Sequence, residues 1–211
     1  LNPDLRFPLI VKPLHEDASI GIDSESVVRN KLELFRRVDH LLEEYQQPTI
    51  VEEFIDGVEI NVAIMGTSPD LVVLPISEIV FDNPDADFNI VGFDAKWHEN
   101  SNAFSRISAV CPARLDRDVQ IRAIQIAKEA YRICGCRDYG RVDIRIREGK
   151  PYVLEVNPNP GIGADSGFYR SFSTTGMGYA DMIRSILTRC WKRTKKNDIL
   201  PEKVENIRYC S

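Results

Sequence analysis

The residues most able to do chemistry lie on either side of one predicted turn. If Glu148-Gly149-Lys150 forms a three-residue loop, Asp143 falls opposite Glu155 and Arg141 opposite Asn157. Side chains two apart on a strand share a face, so these four polar groups converge on one side. Val142, Ile144, Ile146, Leu154 and Val156 then turn to the other, a core face. A one-residue slip would separate the acids, so the reading depends on this register. Asp143, Glu155 and Asn157 together suit a hard divalent cation. Magnesium keeps several waters and bridges one or two carboxylates to the phosphates of a nucleotide. A solvated sheet face, with Arg141 simply pairing Asp143, accounts for the same pattern. The following Asn157-Pro158-Asn159-Pro160-Gly161 loop favours the metal, because such a turn suits a segment that something must approach closely.

Weaker signals lie upstream. Lys12 ends a predicted strand and points at a loop holding Ser19 and Gly21. A lysine point charge with backbone N–H groups before a helix can grip a phosphate, although the Gly-Lys-Ser/Thr core of a Walker loop is absent. A solvated strand-end lysine explains Lys12 equally. Around Asp56-Gly57, Glu52 and Glu59 could accept from an adenine amine and ribose hydroxyls, with Glu53 and Ile55 offering backbone groups. Exposed acids on an edge strand are the alternative. Lys96 sits in a long polar stretch. His15, His40 and His98 read as surface or helix-face residues, so the chemistry is expected to proceed without a histidine base.

The elements that must position these groups come from the pattern of the 211 residues. Strands are predicted over 7–11, 49–54, 58–65, 71–81, 141–147 and 152–156, with turns at Asp56-Gly57, Ser68-Pro69-Asp70 and Glu148-Gly149-Lys150. A helix capped by Asp23 or Ser24 is predicted to run to Tyr45, with Val28, Leu32, Phe35, Val38, Leu42 and Tyr45 on its apolar face. Further helices are expected over 116–134 and 179–191. The former should turn Val119, Ala123, Ile126, Ala127, Ala130 and Tyr131 inward. Residues 82–105 read as a long loop with a short strand, a length uncommon unless the loop acts on something. Strands joined mainly by tight turns favour α+β with antiparallel sheets over a doubly wound parallel sheet. A composition break near Asp56-Gly57 suggests a leading piece over 1–57, a larger one over 58–191, and a basic, then mixed, tail over 192–211.

Composition narrows the classes. Apolar residues make up 43% and charged residues 28%, which is a globular balance. Lys plus Arg number 27 against 32 Asp plus Glu, a net charge of −5, which argues against a general nucleic-acid binder. Apolar stretches such as 71–76 are too short to span a bilayer, and no charged-then-apolar leader opens the sequence. Cys111, Cys134, Cys136, Cys190 and Cys210 are odd in number and lack zinc spacing, which predicts reduced thiols in a cytoplasmic protein.

Taken in order, these pieces resemble the ATP-grasp superfamily, and within it the D-alanine–D-alanine ligase branch of carboxylate–amine ligases. The segments that carry the resemblance are Ile10-Val11-Lys12-Pro13, Glu16 to Gly21, Val51 to Glu59, Asp94-Ala95-Lys96, Gly140-Arg141-Val142-Asp143 and Leu154 to Gly161. The similarity spans about residues 7–191. It implies two lobes clasping ATP, the smaller only partly represented over 1–57 and the larger, catalytic one over 58–191. It also implies phosphorylation of a carboxylate to an acyl phosphate, then attack by an amine, with release of ADP and phosphate. Carried over residue by residue, Lys12 and the Ser19 backbone would hold ATP phosphates. Glu52, Glu53 and Ile55 would line the adenine pocket, and Glu59 the ribose. Lys96 would reach the terminal phosphate, and Arg141 would steady the carbonyl-derived oxyanion. Asp143, Glu155 and Asn157 would bind one or two Mg2+ ions, while Gly161 and Ser166 would seat the acceptor. Phosphoryl transfer is mostly positioning and charge neutralisation, so this inventory suffices. A loop over 82–105 could shield the acyl phosphate from water.

The implied partners are a small carboxylate and an amine, an amino acid or short peptide, with neither nucleic acid nor membrane. Homodimer formation is compatible with the resemblance. The family carries an N-terminal domain that helps form the first-substrate pocket, so a missing domain or partner chain is expected to supply it. Trp97 stands where such ligases usually have tyrosine, and Pro158-Asn159 replaces their usual Thr-Ser. A nucleotide-binding fragment without turnover, and an ATP-grasp kinase of phosphorylated polyols, are the competing readings. The kinase would need a basic pocket.

Overall fold

The first strand, β1 (Leu9–Pro13), alternates buried and half-buried residues, as a strand between two partners and a helix should. It pairs antiparallel with β2 (Val27–Val28) on one side and β3 (Thr49–Glu53) on the other, giving a three-stranded sheet of order β2-β1-β3. Helix α1 (Lys31–Tyr45) covers it, and Leu9, Val11, Val28, Leu34 and Leu41 form the core. The protein is described here from a computed structural model, over residues 5–82, 87–93 and 107–196.

Helix α1 starts later than the sequence predicts. Asp23 caps a single 3-10 turn, Ser24–Ser26, and the chain is extended again at β2. The α-helical cap is Asn30, whose side chain accepts from Glu33 N at 3.0 Å, while a Glu33 carboxylate oxygen accepts from Arg29 N at 2.7 Å. The expected apolar face mixes two faces. Leu34, Arg37 and Leu41 are buried, with Val38 and Tyr45 packed beside them, whereas Leu32, Phe35 and Leu42 are 61%, 56% and 42% exposed. Both stripes step by three and four residues, so periodicity alone does not choose between them.

The second sheet has six strands, in the order β7-β6-β4-β8-β9 with β5 also on β4. Its members are β4 (Val58–Met65), β5 (Val72–Val73), β6 (Ser77–Phe81), β7 (Ile107–Val110), β8 (Tyr139–Arg147) and β9 (Lys150–Asn157). The single strand expected over 71–81 is two short ones around Pro75, whose missing N–H breaks the ladder. β7 begins just past the expected loop and pairs antiparallel with β6. Of that loop, residues 83–86 and 94–105 lie outside the described residues.

Helix α2 (Arg117–Ile133) turns the predicted face inward, with Ala123, Ala127 and Tyr131 fully buried. The loop after β9 ends in a helix the sequence reading did not anticipate, α3 (Gly167–Ser173). Its Phe168 and Phe172, one turn apart, join Ala63, Met65, Leu74 and Met182 in a core that also takes Ile183 and Ile186 from α4 (Tyr179–Lys196). Helix α4 continues five residues beyond the predicted end at Trp191. The result is α+β with antiparallel sheets, as expected.

By compactness the chain groups into two units. The first is residues 1–60, 78–110 and 145–152, and the second is 61–77, 111–144 and 153–211. Among the described residues, Cys111, Cys134, Cys136 and Cys190 are free thiols, and no helix is long and apolar enough to cross a membrane.

Candidate active site

Strand β8 places polar side chains at every second position, Arg141, Asp143, Arg145 and Arg147, while Val142, Ile144 and Ile146 on its other face are buried. Each polar group has a specific partner, which is how they are held inside a sheet.

In the second unit, Asp143 is only 6% exposed. Arg141 grips it bidentately, Nε donating to Oδ1 and Nη2 to Oδ2, both at 2.7 Å. Asn61 of β4 donates from Nδ2 to Oδ1 at 2.8 Å. Asn157 donates from Nδ2 to Asp143 Oδ2 at 3.2 Å and to Glu155 Oε1 at 2.9 Å. Arg141 Nη2 also lies 4.0 Å from Glu155 Oε1. The four residues expected to converge do so.

The turn is shorter than predicted and sets Arg147 against Lys150, one residue away from the register that placed Asp143 opposite Glu155; the four side chains meet although that premise does not hold. It is two residues, Glu148 and Gly149, with φ of 54° and 73°, as a type I′ hairpin requires. Lys150 belongs to β9. Leu154 is 42% exposed rather than core, since β9 is the edge of the sheet. At the far end of the hairpin Gly140 permits close approach. A Cβ there would stand 2.7 Å from Tyr131 Cε2 and 3.1 Å from the Asn157 carbonyl oxygen.

Burial pushes the Asp143 carboxyl up to about 6; Arg141 opposes the shift and neighbouring Glu155 adds to it. Two carboxylates thus lie close together, with the Arg141 guanidinium and the Asn157 amide donating to Asp143. The donor chemistry fits magnesium. Asp143 and Glu155 would hold it through carboxylate oxygens, and Asn157 through its amide oxygen once the amide turns over, since its Nδ2 here faces both acids.

In the first unit, the predicted nucleotide residues are already engaged. Lys12 Nζ lies 2.6 Å from Glu52 Oε2, two residues that stand diagonally across β1 and β3. Arg147 donates from Nη1 and Nη2 to Glu53 Oε1, both at 3.0 Å. Arg145, 4% exposed, donates from Nε and Nη2 to Glu59 Oε2 at 3.0 and 2.9 Å, and from Nη1 to the Ile55 carbonyl at 3.0 Å. It also reaches the Asn89 carbonyl and lies over the Phe54 ring, 4.8 Å from its centroid. Ser19 sits in the loop after β1 at φ 67°, its carbonyl accepting from Ile22 N at 3.0 Å. That loop is pinned by buried Arg37, whose Nη2 donates to Gly21 O, Asp23 Oδ2 and Ser26 Oγ.

Ser166 caps α3, its hydroxyl oxygen accepting from Tyr169 N at 3.1 Å. Gly161 is exposed, with open space where a Cβ would be. Lys96 and Trp97 lie outside the described residues. Asn61, Arg145 and Arg147 were missed by sequence reasoning. The signal for all three was present: the polar alternation begun by Arg141 and Asp143 continues through Arg147, and Glu59 and Asn61 alternate similarly on β4.

The chain has an ATP-grasp fold, shared with the solved structures it resembles. The family model "D-ala D-ala ligase C-terminus" matches residues 1–188, and the chain belongs to that family. It is 35% identical over 198 residues to the uncharacterized protein y4sG of Sinorhizobium fredii, covering 93% of this chain and 56% of that one. It is 34% identical over 185 residues to the D-alanine–D-alanine ligase of Carboxydothermus hydrogenoformans, covering 87% of this chain and 54% of that one. Among solved structures, the Bacillus anthracis D-alanine–D-alanine ligase complexed with ATP superposes with a TM-score of 0.70 at 25% identity. That match covers 93% of this chain and 58% of the other. VanG D-Ala:D-Ser ligase of Enterococcus faecalis gives 0.68 at 26% identity, covering 88% and 50%. The chain therefore spans about half the length of the relatives it matches.

Proposed function

We propose that this chain is the ATP- and magnesium-binding part of an ADP-forming carboxylate–amine ligase of the cytoplasm. The observation that carries the reading is the Arg141–Asp143–Glu155–Asn157 cluster, in a chain of the D-alanine–D-alanine ligase family. A substrate carboxylate oxygen attacks the γ-phosphorus of ATP, giving an acyl phosphate and ADP. The amine nitrogen then attacks the acyl carbon, loses a proton, and expels phosphate. Magnesium, when bound, neutralises phosphate charge.

The protein's own groups supply position. Lys12 and the Ser19 backbone hold phosphate, and Lys96 is assigned to the terminal one. Glu52, Glu53 and Ile55 line the adenine. Both Arg145 bonds to Glu59 fall on Oε2, which leaves Oε1 for a ribose hydroxyl and fixes its direction. Arg141 steadies the oxyanion, and Gly161 and Ser166 seat the acceptor; the Ser166 hydroxyl still has its proton to donate.

The test is product analysis on the full-length protein. ADP and phosphate should appear only when a carboxylate and an amine are both supplied. AMP as product, or release driven by an alcohol, overturns the reading. Because the chain spans about half of its relatives, the 211 residues taken alone are proposed to bind nucleotide without turnover. Calorimetric ATP binding with no ADP release separates this from activity in the isolated chain.

A further inference from the structure

Gly167 stands next to Ser166 at the start of α3. A Cβ built there would lie 3.7 Å from Arg170 Nη1 and 3.7 Å from Asn61 Oδ1. These are ordinary contact distances, so the place beside the glycine is no larger than a methyl group. A guanidinium bounds it on one side. On the other is the amide whose Nδ2 holds Asp143. Arg170 follows Gly167 by three residues and so shares its face of the helix.

The Arg170 guanidinium differs from its neighbours. Arg141 is committed to Asp143, Arg145 to Glu59 and Arg147 to Glu53. Arg170 is half-buried, and among the described residues its guanidinium makes no hydrogen bond or ion pair. A cation with no counter-charge among the described residues repels a metal ion bound in the same unit. A negative group brought by a ligand offsets that repulsion, and a guanidinium matches a carboxylate with two parallel hydrogen bonds.

We propose that Arg170 determines acceptor specificity by binding a side-chain carboxylate of the amine substrate, which makes the acceptor a dicarboxylic amino acid or a peptide that begins with one. This rests on the ligase reading above. Gly161 and Ser166 hold the acceptor's main-chain end, and Arg170 takes the terminal charge of its side chain. A nucleotide phosphate is the other source of negative charge, and the test separates the two.

On the full-length protein, ADP release is measured with glutamate and aspartate of both hands as acceptors, against their side-chain amides. The acid should exceed its amide twin in kcat/KM by about tenfold or more, the scale of a charge-assisted hydrogen bond. Arg170→Gln should bring the ratio near one through the acceptor's KM, and Arg170→Lys should restore part of it. No preference in the wild type, an equal loss for acid and amide, or a loss that falls on the KM for ATP overturns the proposal. If no amine drives ADP release, the ligase reading fails, and glutarate binding by calorimetry to protein loaded with MgADP still decides. Binding that Arg170→Gln abolishes upholds the carboxylate site; binding that is absent or unchanged by the substitution rejects it.

Discussion

The Asn61 amide donates to Asp143 Oδ1 at 2.8 Å, joining residues 82 positions apart in the chain. Asp143 Oδ1 also accepts from Arg141 Nε, so one buried oxygen serves two donors. A buried carboxylate survives only with such satisfaction, and each donor removed has a measurable cost.

Asn61→Ala should therefore destabilise the protein by about 1–3 kcal/mol, the cost of leaving a buried acceptor short of a partner. Urea unfolding measures this, and Asn61→Asp should be worse, since it places a second carboxylate directly against Asp143. An unchanged midpoint for Asn61→Ala would mean that the amide contributes nothing.

Asp143→Asn removes one carboxylate but keeps the shape. Turnover of the full-length protein should fall by about 10²–10³ or more, the scale for losing one preorganised charge-stabilising group. Magnesium-dependent nucleotide binding should fall with it. Near-native turnover would remove the metal assignment. Asp143→Ala is a poorer test, because it strands Arg141 without its partner.

Acidity should reveal the same carboxyl. Its value in the fold, about 6, lies above that of an ordinary carboxylic acid. Between pH 4 and about 6 the folded chain keeps a proton that the unfolded chain has released, so this group favours folding at low pH. That advantage is lost as pH rises, and it is gone above about 6. In metal-free protein, the melting temperature of the wild type minus that of Asp143→Asn should fall across this window. A flat difference would place the carboxyl at its ordinary value. Magnesium affinity should weaken as pH drops through 6, because the ion competes with the proton.

Arg145 and Glu59 are a buried pair, and Arg145→Ala should cost about 3–5 kcal/mol by leaving Glu59 without its counter-charge. Arg145→Lys keeps the charge but loses the fork that directs Oε1, so the KM for ATP should rise more than kcat falls. A change confined to kcat would detach this pair from the nucleotide.

Phe172, 1% exposed in the core with Phe168 and Met182, should cost about 3–5 kcal/mol as Phe172→Ala. The helix that carries it was not legible beforehand. No element is predicted between the 157–161 loop and the helix expected at 179, and seven residues are too few for periodicity to declare a helix. Contacts of Phe168 and Phe172 with distant strands stabilise it. The start of α1 was misjudged for a related reason. Asp23 and Asn30 are both good caps, and β1 decides between them by pairing Val27 and Val28 into a strand.

The sequence by itself determined the α+β class and the inward face of α2, and it singled out Arg141, Asp143, Glu155 and Asn157 as a cluster, though from a three-residue turn where the structure has two. These depend on local periods and on one hairpin, in which partners lie close along the chain. Tertiary structure alone decided that Asn61 completes the Asp143 cluster, that Arg145 orients Glu59, and which stripe of α1 is buried. Those outcomes turn on contacts between segments far apart in the chain. A polar residue on a strand carries no local mark of which distant charge it will satisfy.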